Sequence, residues 1–168
     1  MPTITDLERE LISPAPDVTF ELGRRLADVA QPGDLICLWG ELGAGKTVLA
    51  KGFGAGLGVT TTVSSPSFIL MAEHAGRLSL FHLDLYRLAS AEEALAGGLI
   101  DDRQASGVTL VEWPDRLGAA LPAARLDVEI DGGGDDPRTI RVRATRLPYR
   151  RYLDAITGLR SGAGSTVR

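Results

Sequence analysis

The 168-residue chain contains no asparagine, one cysteine, two histidines and two lysines, Lys46 and Lys51. A guanine-reading N-K-x-D element therefore cannot be written from it, and Cys37 alone supports neither a disulfide framework nor a cysteine metal site. Long apolar runs are also missing. No stretch approaches the ~20 residues a spanning helix needs, and the start Met1-Pro2-Thr3-Ile4-Thr5-Asp6 has neither a basic beginning nor an apolar core. A soluble, cytoplasmic protein is expected. The length, with 44% hydrophobic residues, suits one compact domain over residues 1–168, with 161–168 as a loose tail. There is no internal repeat.

The net charge of −4 argues against a surface that grips nucleic acid everywhere, but the charge is uneven. From Arg138 onward the chain carries about +7 and the rest about −11. Two readings stay open for this basic end: a solvated strand and helix face, or a docking patch for RNA or an acidic partner.

What the sequence does have is Gly40-Glu41-Leu42-Gly43-Ala44-Gly45-Lys46-Thr47, a phosphate-loop pattern with no mismatch. Backbone N–H groups must curl around phosphate oxygens there, so side chains have to be absent where the chain comes closest. The Lys46 ammonium would reach the β- and γ-phosphates, and the Thr47 hydroxyl would take one position on an octahedral Mg²⁺. The context agrees. Leu35-Ile36-Cys37-Leu38-Trp39 reads as a buried parallel strand; Leu49, Phe53 and Leu57 recur at helical spacing until Gly58 offers a stop. Cys37 within this strand reads as a small buried hydrophobe.

Around this centre the pattern predicts an edge strand over Glu8–Ile12 and a helix carrying Val18, Leu22, Leu26 and Val29 with Asp17 as N-cap. Residues Thr60 to Ser67 form a polar connection expected to cross the mouth of the site. Strands follow over Phe68–Glu73 and Leu78–Leu85, separated by a Gly-containing loop, then a short helix from the capping box Ser90-Ala91-Glu92-Glu93 to Gly97-Gly98. A buried strand, Val108–Val111, ends in Glu112-Trp113-Pro114. A hairpin over Arg125–Asp131 and Arg138–Ala144 precedes a last helix from about Tyr149 to Leu159. The fold class is α/β: a single P-loop NTPase domain with a mixed sheet, a parallel core plus antiparallel hairpins, and helices on both faces.

A phosphate loop needs acids at neighbouring strand ends to hold Mg²⁺ or its waters. Asp84 sits in an otherwise apolar strand, where an unpaired charge is costly. Glu112 closes another such strand, at the end where open α/β sheets bind ligands. The alternative for each is an ion pair with an arginine such as Arg87 or Arg116. Together, beside a loop that requires acids, they read as functional.

Taken with Ser64-Ser65-Pro66-Ser67-Phe68, His82-Leu83-Asp84-Leu85-Tyr86-Arg87-Leu88 and Val111-Glu112-Trp113-Pro114, the loop resembles the TsaE (YjeE) family of bacterial ATPases of tRNA threonylcarbamoyladenosine biosynthesis. The resemblance runs from about Ser13 to about Ala144. It implies an ATPase that binds ATP and Mg²⁺ and works with TsaB and TsaD homologues, reaching tRNA indirectly and not performing the transfer itself. By position it implies Lys46, Asp84 and Glu112 as catalytic, and Thr47, Asp84 and Glu112 as metal-binding. Gly40 to Thr47, Ser67 and Trp113 would contact the nucleotide, although a core role for Trp113 stays open. Ser67 stands where the family usually has Thr, which keeps the hydroxyl and loses the β-branch.

A small-molecule kinase satisfies the same loop, but such kinases continue with acceptor-binding helices and a basic lid, whereas here a hairpin follows. A nucleotide-dependent assembly factor without required turnover is a third reading. Gln31 and Gln104 are the only glutamines, and neither stands in an obvious water-positioning place. Slow hydrolysis by the isolated chain is therefore expected, with partners ordering Ser64 to Phe68.

Overall fold

Alternation at a period of two decides which side of the sheet each strand buries. In β2 (Leu35–Trp39), Ile36 and Leu38 pack into one apolar cluster while Leu35, Cys37 and Trp39 face another. The computed structural model describes residues 7–41, 43–64, 71–88, 102–161 and 165–166. Leu42, the segment 65–68 with Ser67, and the helix expected after Ser90 lie outside the described residues.

The remaining strands of the sheet are β1 (Glu8–Ser13), β3 (Met71–His74), β4 (Leu80–Asp84), β5 (Val108–Glu112), β6 (Leu126–Asp131) and β7 (Arg138–Ala144). Their order is β1-β7-β6-β2-β5-β4-β3. The inner four, β6, β2, β5 and β4, run parallel. Outside them β3 pairs antiparallel with β4, β7 with β6, and β1 with β7. This is the mixed sheet expected from the sequence, with its parallel core and flanking hairpins.

One face is covered by α1 (Pro16–Ala27), α2 (Lys46–Gly56) and α3 (Arg150–Ala155). Leu22, Leu26, Leu49, Phe53, Tyr152 and Leu153 are fully buried against Ile36, Leu38 and Leu110, each worth about 2 kcal/mol of burial. On the other face a 3₁₀ segment over Pro114–Ala120 sets Leu117 against Cys37, Leu83 and Val111. Burial pushes the Cys37 thiol up to about 12, as an inert core cysteine requires.

Towards β1 the second face is a charged ladder. Arg141 bridges Glu8, Glu10 and Glu129 at 2.9, 3.2 and 3.3 Å. Arg143 pairs with Asp127 at 3.0 Å, and Arg125 approaches the same carboxylate at 2.8 Å. Arg151 and the Tyr152 hydroxyl both donate to Asp34, tying α3 to the start of β2. Of the basic end, Arg141, Arg143 and Arg151 are thus paired with acids of the chain itself.

Three local expectations are corrected. Asp17 is not the N-cap of α1: that position is Ala15, whose carbonyl receives the Val18 and Thr19 N–H groups, while Pro16 opens the helix and Asp17 lies in its first turn. Pro at the first turn needs no N–H partner, so no side-chain cap is required. The last helix is shorter than expected, a 3₁₀ turn at Leu147–Tyr149 leading into α3. Arg160–Ser161 and Ser165–Thr166, expected in or beside a loose tail, pair as short antiparallel strands β8 and β9.

The two long helices meet backbone to backbone. A Cβ on Gly52 would lie 2.0 Å from the Phe20 carbonyl oxygen, and one on Gly23 would lie 2.2 Å from that of Leu49. This contact sets where α2, and so the phosphate loop before it, sits over the sheet. Gly52→Ala should therefore lower unfolding free energy by about 1–3 kcal/mol or more through overpacking. Gly133→Ala, whose Cβ would meet nothing within 4 Å, should change it by no more than about 0.5 kcal/mol. Urea denaturation of both variants checks the difference.

Candidate functional site

The loop between β2 and α2 takes the shape its glycines permit. Gly40, Gly43 and Gly45 have φ of +147°, +80° and +111°, a region that favours glycine. Gly40 also approaches β6 so closely that a Cβ would lie 2.5 Å from the Ile130 carbonyl oxygen. A second restraint, missed in the sequence, comes from Arg138 at the start of β7. Its guanidinium donates to the Ala44 and Gly43 carbonyls at 2.9 and 3.2 Å and to Gly134 at 3.0 Å. The Gly43 and Ala44 carbonyls are thereby tied to the β6–β7 hairpin.

Lys46 is the first residue of α2 and is only 5% exposed. Its ammonium donates to the Gly40 and Glu41 carbonyls and lies 4.0 Å from the centre of the Trp113 ring, a cation–π arrangement. Burial pushes Lys46 below the usual lysine value, against the pull of Glu112, Asp84, Glu41 and Asp115. Thr47 follows in the first helical turn and is half-buried.

Asp84 and Glu112 end neighbouring parallel strands and are paired in register. Leu83 and Val111 pack on the far face, and Leu80 and Leu110 on the α2 face. By alternation both carboxylates therefore stand on the α2 side. Glu112 is 3% exposed and Asp84 6%. Asp84 accepts the Tyr86 N–H at 3.0 Å. The carboxylate of Glu112 accepts from His82 Nε2 at 2.8 Å, so its partner is an imidazole and not Arg116. The signal for His82 was present: two residues before Asp84 in a strand means the same face.

Trp113 takes φ +60° and ψ +51°, the one positive-φ residue other than glycine among those described. That backbone costs about 1–2 kcal/mol and carries the ring from the strand end over Lys46. Tyr86 meets the same ring at 4.9 Å between centroids. Trp113 packs against the Cys37–Leu117 cluster and faces the lysine.

Two cavities flank the loop. One, of about 390 Å³, is lined by carboxylates of Glu41, Asp115, Glu129 and Asp131 and is a poor place for an anion. The other, of about 260 Å³, lies between the loop and the start of α1, against Pro14, Pro16, Thr19, Val48 and Arg138. Mostly apolar walls with a few polar groups suit a small organic moiety.

Three comparisons bear on this geometry. Residues 13–140 match the family model of threonylcarbamoyl adenosine biosynthesis protein TsaE. The chain is 39% identical over 143 residues to the TsaE protein of Bacillus subtilis, covering 84% of this chain and 89% of that one. For the Streptomyces coelicolor TsaE protein the identity is 40%, with coverage of 77% and 91%. The crystal structure of Bacillus subtilis YdiB superposes with a TM-score of 0.73 at 34% identity, covering 88% of this chain and 92% of that one. No helix among the described residues is long and apolar enough to cross a membrane. With its phosphate loop and paired strand-end acids on this sheet, the chain belongs to the TsaE family of tRNA threonylcarbamoyladenosine biosynthesis proteins.

Proposed function

We propose that the chain binds ATP with Mg²⁺ and hydrolyses it in support of a TsaB–TsaD pair that threonylcarbamoylates the adenosine next to the anticodon of tRNA. The observation carrying this reading is the convergence of a glycine loop, a buried lysine and two in-register carboxylates at one end of a parallel sheet. The donor set also fits the metal. No group of three or more His, Cys, Asp or Glu side chains that could hold a metal alone occurs among the described residues, whereas Mg²⁺ characteristically takes one or two carboxylates plus phosphate oxygens and water. Thr47, Asp84 and Glu112 would hold it there, and it would neutralise charge on the β- and γ-oxygens.

The chain's own groups then divide the work. The loop amides would bind phosphate oxygens, with the dipole of α2 behind them. Lys46, now bonded to loop carbonyls that phosphate oxygens would replace, would stabilise charge on the γ-phosphate. Trp113 and Tyr86 would wall the reacting end from water, and Glu112 or Asp84 would orient the attacking water. The nucleoside would occupy the 260 Å³ cavity beside Val48, which sets Asp135 and Asp136 beside Arg138 and apolar walls, rather than the opposite one with its four acids.

Lys46→Ala should raise the Kd for ATP about 100-fold by removing the buried cation; calorimetry with ATP and Mg²⁺ reads this, and near-parental affinity would remove the central claim. Asp84→Asn and Glu112→Gln should slow single-turnover hydrolysis by about 10²–10³-fold and change ATP affinity by no more than a few fold. Parental turnover in either variant makes that residue structural. Finally, hydrolysis should be slow for the isolated chain and rise when TsaB and TsaD are added, less so as salt increases. A steady-state series over ionic strength, with and without partners, decides this; fast turnover by the chain alone contradicts it.

A further inference from the structure

His82 is completely buried in β4, between Leu80 and Asp84 on the α2 face. Its strand neighbours on this face, Leu80 and Leu110, are apolar, so a leucine would fill the position without polar atoms. Instead the ring keeps Nδ1 buried with no hydrogen-bond partner among the described residues. Leaving such an atom unpaired is destabilising. What the ring gains is a single bond, Nε2–H to Glu112 at 2.8 Å.

That bond matters because of where Glu112 stands. Of the carboxylates around Lys46, Glu112 exerts the largest pull on the ammonium, and both groups are within 5% of full burial. Opposite charges attract strongly where water is excluded, and a glutamate arm can swing to meet its partner. Yet Lys46 forms no ion pair within 4 Å among the described residues; it bonds to the Gly40 and Glu41 carbonyls and lies on Trp113. A closed Glu112–Lys46 pair would occupy the cation that the phosphates need.

We propose that His82 is a positioning residue: its Nε2–H holds the Glu112 carboxylate on the sheet side, apart from Lys46, so that the ammonium stays available to a polyphosphate and the carboxylate to the metal or water. This rests on reading Lys46 as the phosphate residue and Glu112 as a functional acid. The second histidine is built into the same corner. His74 on the neighbouring β3 is buried and bonded through Nδ1 to the Thr61 hydroxyl at 2.8 Å, which fastens the strand against which His82 packs. The mechanism is electrostatic restraint of one flexible side chain by another, the role that partners of metal-binding carboxylates often have.

The test is a double-mutant cycle on ATP affinity, read by calorimetry with Mg²⁺. His82→Leu should weaken binding about tenfold, because Glu112 is released onto Lys46. His82→Gln, which can still donate to Glu112, should stay within about threefold of the parent. In a Glu112→Gln background, where the carboxylate that His82 restrains is gone, His82→Leu should change affinity less than twofold. A merely structural histidine would give equal losses in both backgrounds, and that result, or a His82→Leu affinity within twofold of the parent, overturns the proposal. Should His82→Leu not fold, His82→Asn, whose amide stops short of Glu112, takes its place with the same expectations. A second readout needs no nucleotide. The chain has two lysines, so the Lys46 ammonium can be followed by nitrogen-15 NMR. Its signal should move between the parent and His82→Leu but not between Glu112→Gln and the double variant. An unmoved signal rejects the role of His82 even if the phosphate-loop reading stands, whereas a parent that binds no ATP rejects that reading and leaves the lysine signal to decide the histidine.

Discussion

A lysine ammonium with 5% exposure at the rim of a parallel sheet cannot stand alone, and the arrangement of the site follows from that. Burial disfavours its charge, so the surroundings must supply oxygens, negative charge or a π face. Gly40 and Glu41 give carbonyls, Trp113 gives a ring face, and Glu112 and Asp84 give the field. None of these closes into an ion pair with the lysine. A strong pair would be stable and inert, whereas weak, distributed compensation leaves the cation ready to exchange carbonyls for phosphate oxygens.

The precision of the loop is imposed from outside it. Gly52 and Gly23 let α2 lie directly on α1, which fixes the axis and so the direction of the helix N-terminus. Gly40 presses against Ile130, and Arg138 holds the Gly43 and Ala44 carbonyls from the adjoining turn. The strained backbone of Trp113 belongs to the same economy of position: a left-handed residue at the strand end brings the indole over Lys46, which an extended continuation of β5 would carry away. Behind the site, Asp34 receives Arg151, Tyr152 and the Gln31 N–H at 2.9 Å, so the start of β2 is anchored as firmly as its end.

Much of this was legible. The hairpin strand Arg138–Ala144 and the loop-bearing strand Leu35–Trp39 have the bounds read from alternation and apolar runs, and the stop at Gly58 has the expected positive φ of +76°. Where reading failed, two local signals competed. Asp17 is a good capping residue, but Pro16 before it opens the helix at its own position. Ile156 and Leu159 continue the apolar spacing of the terminal helix, whereas Thr157 bonds back to Asp154 and Gly158 turns with φ +83°. Arg116 lies four residues from Glu112 in the sequence, but the register of β4 and β5 brings His82 to it instead.

The amino-acid sequence by itself determined the chemistry present and the elements that carry it: a loop without side chains at three places, one lysine to enter it, one acid set within an apolar strand and another closing a second. These are short-range facts, written in composition and in periods of two and 3.6. Only the tertiary structure decided which groups meet. The strand order sets β5 beside β2 and β4 beside β5, and through it His82 reaches Glu112 across 30 positions. Arg138 likewise reaches Ala44 across 94. Such meetings depend on register and helix placement, which the whole apolar core fixes at once. No window of sequence contains them.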